Sequence, residues 1–305
     1  MVMLAADVVG TKVAVALVTA GGEILAKIQQ PTDLNGPAAV VDQIAAMASH
    51  VLDSQKPLGI GICVPAVLEH QTDRVIWAPN LPGWEEAPVP TLLGERLGVP
   101  VFVEYDGHAA VLGEWWVGAG SGYHDVAGII IGTGIGGGFV VGGQLWQGRD
   151  RLAGAVGWIP VRGPDGLDHW EQLASGTAIA RRAQAAVTAG ARSVLGDAAV
   201  TAKDVFNAAR QGDALAKQLV ADAAELIGQG IATVISLANP QIVILGGSIG
   251  QQGDLILETV QTTARRWAQP FSARHLPIVC STLGEEAGLL GAAYAAFRRI
   301  QTRGD

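Results

Sequence analysis

The sequence contains very little cysteine. Only 2 of its 305 residues are cysteines, Cys63 and Cys280, and they are too far apart in the chain to form a CxxC motif. A framework of disulfide bonds is therefore excluded, and a reducing compartment, the cytoplasm, is the simplest expectation.

The sequence also lacks clusters of basic residues. It has 20 Lys and Arg residues against 28 Asp and Glu residues, which gives a formal net charge of −8 at pH 7. Surfaces that bind nucleic acid or an anionic membrane need concentrated positive charge, so we expect neither as a partner.

Long uninterrupted apolar runs are missing as well. Although 49% of the residues are hydrophobic, none of these runs reaches the length of a membrane span. The segment Met1–Asp7 lacks the basic start of a signal peptide and is typical of a strand instead. With 305 residues, the chain is long enough for two domains with sizeable cores.

Glycine, in contrast, is abundant, with 41 residues, and five of them lie in one turn within Ile129–Val141. Glycine permits positive φ angles and a close approach of backbone N–H groups to a ligand. Because a phosphate is bound by several convergent N–H donors, this stretch predicts a phosphate-binding turn. Its candidate binding residues are Gly132, Thr133, Gly134, Gly136 and Gly137.

The same turn admits two other interpretations. The spacing of Gly132, Gly134 and Gly137 fits the dinucleotide-binding pattern, but a Rossmann turn opens into a helix. The segment Phe139–Val141 is aromatic and β-branched, so we expect a strand after the turn and reject the Rossmann interpretation. A hairpin without a ligand remains the alternative, although a plain hairpin needs few glycines.

A similar turn lies near the start of the chain. Residues 3–30 show the β-branched content and period-2 alternation of strands, and the polar turn Asp7–Lys12 joins the first two of them. Two such turns, each between two strands, indicate an internally duplicated fold. A third glycine turn, Gly246–Gly247, follows an expected strand at 241–245.

Strands and helices alternate along the rest of the chain, which predicts an α/β fold. Further strands are expected over 58–64, 99–104 and 276–280, helices over 37–52, 89–97, 176–191, 202–212, 213–237, 254–268 and 287–300, and irregular segments over 66–88 and 144–176. The strand 99–104 brings Asp106 to its C-terminal end, where ligands gather in open α/β sheets.

Several motifs, in their order and spacing, resemble the ROK family of sugar kinases and repressors. They span nearly the whole chain and are Asp7–Lys12, Asn80–Trp84, Asp106, Gly132–Gly138, Ala174–Ala178, Asn239–Pro240, Gly246–Gly247 and Gly288–Gly291. The resemblance implies the two-lobed actin/hexokinase/Hsp70-like (ribonuclease H-like) fold, in which each lobe is a mixed β-sheet flanked by helices and the active cleft lies between the lobes.

The smaller N-terminal lobe would span 1–107 with the closing helix at about 287–305, and the larger C-terminal lobe 108–286. Many members of the family are dimers, so a homodimer is expected.

The resemblance also implies roles for single residues. The turn residues Asp7, Gly10, Thr11 and Lys12 would face the γ-phosphate and Mg²⁺, with Asp7 as the metal ligand. The turn 132–138 would hold the phosphates, and Gly246 and Gly247 would lie beside the adenosine.

The same resemblance implies roles for the residues that would bind and activate the acceptor sugar. Asp106 would be the general base, within reach of the attacking hydroxyl, and Asn80 would bind the sugar. The alternative for Asp7, Asp106 and Asn80 is an ordinary turn residue, and the alternative for Lys12 is a solvated charge.

The chain departs from the family in the segment that follows the phosphate turn. Ala155 and Trp158 stand where the family's Gly-Glu-x-Gly-His motif has its Glu and His. That His ligates zinc in many members, the cysteine cluster is also missing, and His169 alone cannot complete a tetrahedral site, so we expect no zinc. Trp158 would instead offer an apolar wall on which a sugar face can stack.

Two further departures concern the strand ends. The segment Tyr105–His108 replaces the family's Asn-Asp-Ala-Asn, and His108 either meets a substrate hydroxyl or packs inside the protein. Val9 replaces a glycine of the first phosphate turn, and a β-branched residue resists positive φ.

Together these features predict an ATP-dependent carbohydrate kinase that uses Mg²⁺ and phosphorylates a primary hydroxyl of a hexose-like sugar or polyol. A non-catalytic sugar or nucleotide sensor is the alternative. A repressor of the same family is disfavoured, because the first strand starts within a few residues of Met1 and leaves no room for a helix-turn-helix domain, and because the charge is acidic. The identity of the sugar, and ATP or polyphosphate as the donor, stay open.

Overall fold

The computed structural model describes residues 1–78, 80–164, 166–196 and 199–304. The strands are β1 Val2–Val8, β2 Lys12–Thr19, β3 Ile24–Pro31, β4 Ile60–Val64, β5 Val67–Leu68, β6 Val75–Trp77, β7 Val101–Tyr105, β8 Val126–Ile131, β9 Ile135–Val141, β10 Gln144–Leu145, β11 Pro160–Gly163, β12 Gly166–His169, β13 Ile242–Gly246 and β14 Ile278–Cys280.

The helices follow the predicted alternation in most of the chain. They are α1 Pro37–Leu52, α2 Val89–Leu97, α3 Asp106–Val117, α4 Trp170–Ala174, α5 Gly176–Thr188, α6 Ala202–Arg210, α7 Ala214–Ala238, α8 Gly247–Gly250, α9 Gly253–Trp267, α10 Pro270–Ala273 and α11 Ala287–Gly304, with 3-10 turns at Val156–Trp158 and Gly284–Glu286. The strand–turn–strand prediction at the glycine turn is confirmed by β8 and β9.

The structure contains more regular elements than the sequence predicted. The segments 66–88 and 144–176, expected to be irregular, contain the hairpins β5–β6 and β11–β12 and the short helix α4. Helix α3, which follows β7 without a loop, was not predicted at all. Its first residue is Asp106, so the candidate base belongs to a helix N-terminus as well as to a strand end.

The packing of the chain divides it into two compact units. Unit 1 is Met1–Gly122, Gly138–Gly154 and Glu285–Asp305, and unit 2 is Tyr123–Gly137 and Ala155–Gly284. The two lobes predicted from the resemblance, divided at residue 107, stay a prediction. The compact units are defined by contacts between residues, and such contacts do not show which segments move together as a lobe.

The sheet of unit 1 has the order β3-β2-β1-β4-β7. Strand β1 pairs antiparallel with β2 and parallel with β4, which in turn pairs parallel with β7. The parallel register places Asp7 beside Cys63 and Cys63 beside Glu104. The C-terminal ends of three neighbouring strands therefore meet at one edge, where polar groups can gather around a ligand.

The second sheet repeats this connection pattern. Its order is β10-β9-β8-β13-β14, with β13 parallel to β8 and β14. Strand β9 contributes its first residues to unit 2 and its last residues to unit 1, where it pairs with β10. In both sheets three consecutive strands lie side by side before the chain crosses to two later strands, which agrees with an internal duplication.

Helix α7 is long and apolar enough to cross a membrane by length and composition. In the structure, 67% of its most apolar window is buried inside the protein, as in the core helix of a globular unit. It ends at Asn239, whose left-handed φ of 45° closes the helix before Pro240, as the sequence predicted.

Helices α3 and α11 of unit 1 pack with their backbones in contact. A Cβ atom on Gly291 would overlap the carbonyl group of Ala109, and one on Gly113 would overlap the carbonyl oxygen of Ala287. Both positions therefore require glycine for close approach. The crossing holds α3 against the sheet that ends in Asp7 and Glu104.

We expect Gly291→Ala to lower the free energy of unfolding by about 1–3 kcal/mol or more, because the added methyl group forces the two helices apart. Gly94→Ala is the matched control: its Cβ meets only ordinary contacts, 3.7 Å from Val101 and from Val99. That change should be neutral or slightly stabilising inside a helix. Urea unfolding of both variants measures the difference, and equal effects would contradict the tight crossing.

Candidate active site

Asp106 lies at the junction of β7 and α3 in unit 1. Its side chain is half-buried, and its Oδ1 atom accepts a hydrogen bond from the backbone N–H of Gly107 at 2.7 Å. Burial raises the pKa of Asp106 to about 7, the negative charge of Asp7 adds to the rise, and the bond from Gly107 opposes it. A carboxyl group with a pKa near neutral pH is suited to accept a proton in a reaction.

Asp7 lies at the same edge of the sheet, near the end of β1. Its Oδ1 atom accepts a hydrogen bond from the Cys63 thiol at 3.1 Å. Burial raises the pKa of Asp7, and burial together with the Asp7 charge raises the pKa of the Cys63 thiol well above its usual value. A Cβ on Gly288, in the first turn of α11, would lie 3.4 Å from Asp7 Oδ2, so α11 closes one side of this carboxylate.

The first phosphate turn is a tight bend between β1 and β2. The backbone N–H of Val9 donates to the carbonyl oxygen of Lys12 at 3.0 Å, and the φ angle of Val9 is not positive. The valine therefore fits without the strain that the sequence suggested. A Cβ on Gly10 would lie only 2.9 Å from the carbonyl oxygen of Asn80, which places the exposed Asn80 directly against this turn. Thr11 is at the tip of the bend.

The side chain of Lys12 forms an ion pair instead of standing free in solvent. Its Nζ atom lies 2.5 Å from Glu285 Oε2, and the side chains are 31% and 76% exposed. Such exposed pairs contribute little to stability and exchange readily. The lysine is therefore available to another anion at the cost of a weak contact.

His108 is completely buried in unit 1. Its Nδ1 atom lies 3.2 Å from Glu104 Oε1, and its Nε2 atom lies 2.7 Å from the carbonyl oxygen of Ala153. Both ring nitrogens thus face acceptors within the protein. Of the two roles left open by the sequence, the structure shows the packed one and leaves no ring nitrogen for a substrate hydroxyl.

In unit 2, the glycine turn is held by the side chain of Glu171 from α4. The backbone N–H of Ile135 donates to Glu171 Oε2 at 2.8 Å, and a Cβ on Gly134 would overlap the same oxygen. The φ angles of Gly132 and Gly134 are not positive. At position 134 glycine is required for the close approach of a carboxylate, and not for the positive φ that the sequence suggested. Gly136 and Gly137 continue into strand β9.

The start of helix α5 contacts the other side of this turn. The N–H of Gly176 donates to the carbonyl oxygen of Gly132 at 2.8 Å, and the Thr177 hydroxyl donates to the carbonyl oxygen of Thr133 at 2.8 Å. Ser175 caps the helix by accepting from the Ala178 N–H. These bonds use the carbonyl groups of the turn and fix its shape.

Gly246 and Gly247 lie beside the same turn within unit 2. Gly247 has a φ angle of 77°, and a Cβ there would overlap the backbone of Ile131, the residue that precedes Gly132. Two of the predicted nucleotide-binding segments are thus brought together at the ends of the parallel strands β8 and β13. This is where nucleotides bind in related sheet topologies.

Trp158 is exposed on its 3-10 turn in unit 2, with 65% of its surface accessible. Its ring contacts the ring of His169 edge-on, with 4.9 Å between the centroids. Within the described residues, no group of three or more His, Cys, Asp and Glu side chains is arranged to hold a metal ion. The predicted absence of zinc and the assignment of Mg²⁺ to Asp7 stay predictions.

Sequence reasoning missed the residues that hold the predicted ones in place. Glu171 and Thr177 fix the glycine turn, and Arg151, only 2% exposed, donates to the carbonyl oxygen of Val103 in the strand that leads to Asp106. The Ala174–Ala178 motif contributes to the family resemblance, but the sequence alone does not indicate a role for its Ser175 and Gly176. Its position beside the glycine turn explains why it accompanies that turn.

We expect Asp106→Asn to stabilise the protein more at pH 8 than at pH 5. The pKa of Asp106 is raised to about 7 in the folded state, so the stability gained by keeping its proton is present below the unfolded-state pKa and is lost as the pH rises through 7. Asparagine has no proton to lose, and its advantage should be larger by about 1–3 kcal/mol at pH 8. Urea unfolding measures it, and a stabilisation that is equal at both pH values would contradict the raised pKa.

Comparison with known proteins agrees with the predicted family. The ROK family model matches residues 3–299. The glucokinase of Thermotoga maritima is 33% identical, with 98% of each chain aligned, and that of Streptomyces coelicolor is 34% identical over 94% of this chain and 95% of its own. The crystal structure of a ROK family glucokinase from Streptomyces griseus in complex with glucose and AMPPNP superimposes with a TM-score of 0.85, at 32% identity, over 98% of this chain and 100% of that one. The predicted fold class, mixed β-sheets flanked by helices, is confirmed, and the chain belongs to the ROK family.

Proposed function

We propose that this protein is an ATP-dependent sugar kinase that phosphorylates a primary hydroxyl of a hexose-like sugar, with Asp106 as the general base. The observation that supports this most strongly is the half-buried carboxyl group of Asp106 at a strand end, with its pKa raised to about 7. A base is most effective when its pKa lies near the working pH.

In the proposed reaction, the acceptor hydroxyl gives its proton to Asp106 while its oxygen attacks the γ-phosphorus of ATP. The new O–P bond forms as the bond to the β,γ-bridging oxygen breaks, and ADP leaves with the electron pair of that bond. Phosphoryl transfer of this kind depends mainly on positioning and charge neutralisation. The bond from Gly107 to Oδ1 keeps the carboxylate of Asp106 oriented while Oδ2 receives the proton.

The nucleotide would be bound by the glycine segments. In unit 2, the turn would offer the backbone N–H groups of Thr133 and Gly134 to the phosphates, while the N–H of Gly132 donates to the carbonyl oxygen of Gly134 at 2.9 Å and shapes the turn. Gly246–Gly247 would offer a surface without side chains to the adenosine. In unit 1, Lys12 would exchange its contact with Glu285 for a phosphate oxygen.

Mg²⁺ would be held by Asp7 together with the phosphates, beside the phosphate-facing residue Thr11. Burial raises the pKa of Asp7, and a divalent ion beside this carboxyl group would favour its ionised form. Bound there, the ion would neutralise charge on the phosphates.

The acceptor would be a hexose-like sugar that presents an apolar face or a modification. The full-length relatives are glucokinases, but this chain has Ala155 and Trp158 at positions where the family has polar residues. The exposed ring of Trp158 suits stacking against a sugar ring, and Asn80 would bind a hydroxyl from its place beside the first turn. Glucose or a modified sugar fits this description. A homodimer in the cytoplasm, without nucleic-acid or membrane partners, also stays part of the proposal.

A non-catalytic sensor is the second candidate, and it is favoured by the ion pair of Lys12 with Glu285 and by the loss of two polar sugar-binding positions. Calorimetry with a sugar panel separates the candidates. The kinase should release ADP when a bound sugar and Mg-ATP are combined, whereas a sensor would show sugar binding and no ADP.

We expect Asp106→Asn to lower kcat by roughly 10²–10⁴-fold with a small effect on substrate binding, because general-base catalysis contributes about that much. In the unchanged protein, kcat/KM should rise with pH through an apparent pKa near 7, the value of the Asp106 carboxyl group. Coupled measurement of ADP release over a panel of sugars checks both expectations.

The matched control is Asp42→Asn, an exposed carboxylate of unit 1 whose ion pair with Arg96 lies on the surface. It should leave kcat unchanged, because exposed pairs contribute little. An Asp106→Asn enzyme as active as the control would rule out the base.

A further inference from the structure

A cluster of charged side chains, most of them buried, surrounds Glu104 and His108, the residues two positions before and after Asp106 in unit 1. We call it the ionic cluster, and it consists of Asp73, Glu104, His108, Arg151 and Arg299. Arg151 Nη1 lies 2.5 Å from Asp73 Oδ1 and Nη2 lies 3.3 Å from Glu104 Oε2, while Glu104 Oε1 lies 3.2 Å from His108 Nδ1. Glu104, His108 and Arg151 are each at most 3% exposed.

The ionic cluster joins segments that are distant in the sequence. Glu104 is on β7, His108 on α3, Arg299 on α11, Asp73 in the turn between β5 and β6, and Arg151 in the segment after β10. Arg151 also donates to the carbonyl oxygen of Val103 at 2.8 Å, and Gln147 donates to Glu104 at 3.3 Å. The strand and helix that carry Asp106 are therefore tied to the segment 147–153 by hydrogen bonds on both sides.

The charges of the ionic cluster favour one fixed arrangement. Burial alone would raise the pKa of Glu104, but the hydrogen bond from His108 and the charges of Arg151 and Arg299 outweigh it and lower this pKa to about 2. Glu104 is thus an anion with five partners, since Gln147 and the backbone N–H of Tyr105 also donate to it. Buried ion pairs add little net stability compared with apolar packing, and the main effect of this cluster is on geometry.

The backbone supports the same conclusion. Asp73 and Arg151, which form an ion pair with each other, both have a left-handed φ of 56°. This conformation is unfavourable for residues other than glycine, and it persists where surrounding contacts determine it, most often near functional sites. The ion pair supplies such contacts at both positions.

We propose that His108 is a positioning residue for Asp106. Its ring is held between Glu104 and the carbonyl oxygen of Ala153, and this fixes the first turn of α3, whose first residue is Asp106 and whose third is His108. A displacement of about 1 Å at the base is enough to slow a reaction strongly. The inference rests on the proposed role of Asp106 as the base and adds how that base is held.

The charges around His108 also bear on the base itself. Glu104 contacts His108 directly, Arg151 and Arg299 contact Glu104, and Asp106 interacts with both His108 and Asp7. The interaction with His108 lowers the pKa of Asp106 and so opposes the effect of burial. Removing the histidine should therefore shift the base toward a higher pKa as well as loosen it.

The test replaces His108 with Asn, which cannot reach both Glu104 and Ala153. We expect His108→Asn to lower kcat about tenfold, to change the KM values for sugar and ATP less than twofold, and to move the acid limb of the kcat/KM profile to higher pH. Glu104→Gln is the second variant. It keeps an acceptor for the His108 ring, and it should give the same pattern with a smaller loss of kcat.

Met47→Ala is the control for a merely structural role, because Met47 is buried in α1, in the hydrophobic core of the same unit. At a temperature where all variants are folded by circular dichroism, it should lower stability and leave kcat unchanged. If His108→Asn and Glu104→Gln keep the original kcat and pH profile, or lose no more than Met47→Ala, the positioning role is overturned. If His108→Asn does not fold, Glu104→Gln decides by the same criteria.

Asp106→Asn, measured in parallel, distinguishes a failure of the positioning role of His108 from a failure of the proposed function with Asp106 as the base. An inactive Asp106→Asn with fully active His108→Asn would overturn only the positioning role. An active Asp106→Asn would overturn the proposed function itself.

Discussion

The close crossing of helices α3 and α11 is the constraint on which the rest of unit 1 depends. Because Gly113 and Gly291 leave no room for a Cβ atom, the two helices lie with their backbones in contact. The crossing places Asp106 at the start of α3, and α11 then supplies Gly288 beside Asp7 at one end and Arg299 to the ionic cluster at the other. A small change of volume at the crossing would thus be transmitted to several site residues at once.

The candidate site gives very different pKa values to two carboxyl groups that are two residues apart in the chain. Glu104 is surrounded by positive partners and has a pKa of about 2, whereas Asp106, two residues later, is half-buried near a second carboxylate and has a pKa of about 7. Pairs of acids whose environments drive their pKa values apart are characteristic of acid–base sites. The first group here holds the structure as a permanent anion, and the second is able to exchange a proton.

Much of the fold can be predicted from the sequence. The elements that cannot be predicted have clear physical reasons for leaving no recognisable sequence pattern. The glycine turn after β8, the amphipathic helix α1 and the motif order were sufficient for the fold and the family. Helix α3 was missed because it is buried on nearly every face, so it lacks an amphipathic period. The hairpins β5–β6 and β11–β12 consist of strands too short to show a pattern.

The partners of the site residues are hidden for another reason: they are distant in the chain. The pair Asp73–Arg151 joins residues 78 positions apart, and a backbone carbonyl such as that of Ala153 leaves no mark in a sequence. The sequence indicates the glycine turn, but the reason that position 134 needs glycine, the carboxylate of Glu171, is visible only in the structure.

The central claim is that Asp106 is a carboxyl group poised to exchange a proton near neutral pH. Its most direct test is an NMR titration of the carboxyl carbon of Asp106 in protein with ¹³C-labelled aspartate, with the signal assigned by its absence in a variant at this position. The account predicts a midpoint near pH 7, as given by burial and the Asp7 charge. A midpoint near pH 4, the value of an ordinary solvated aspartate, would contradict it.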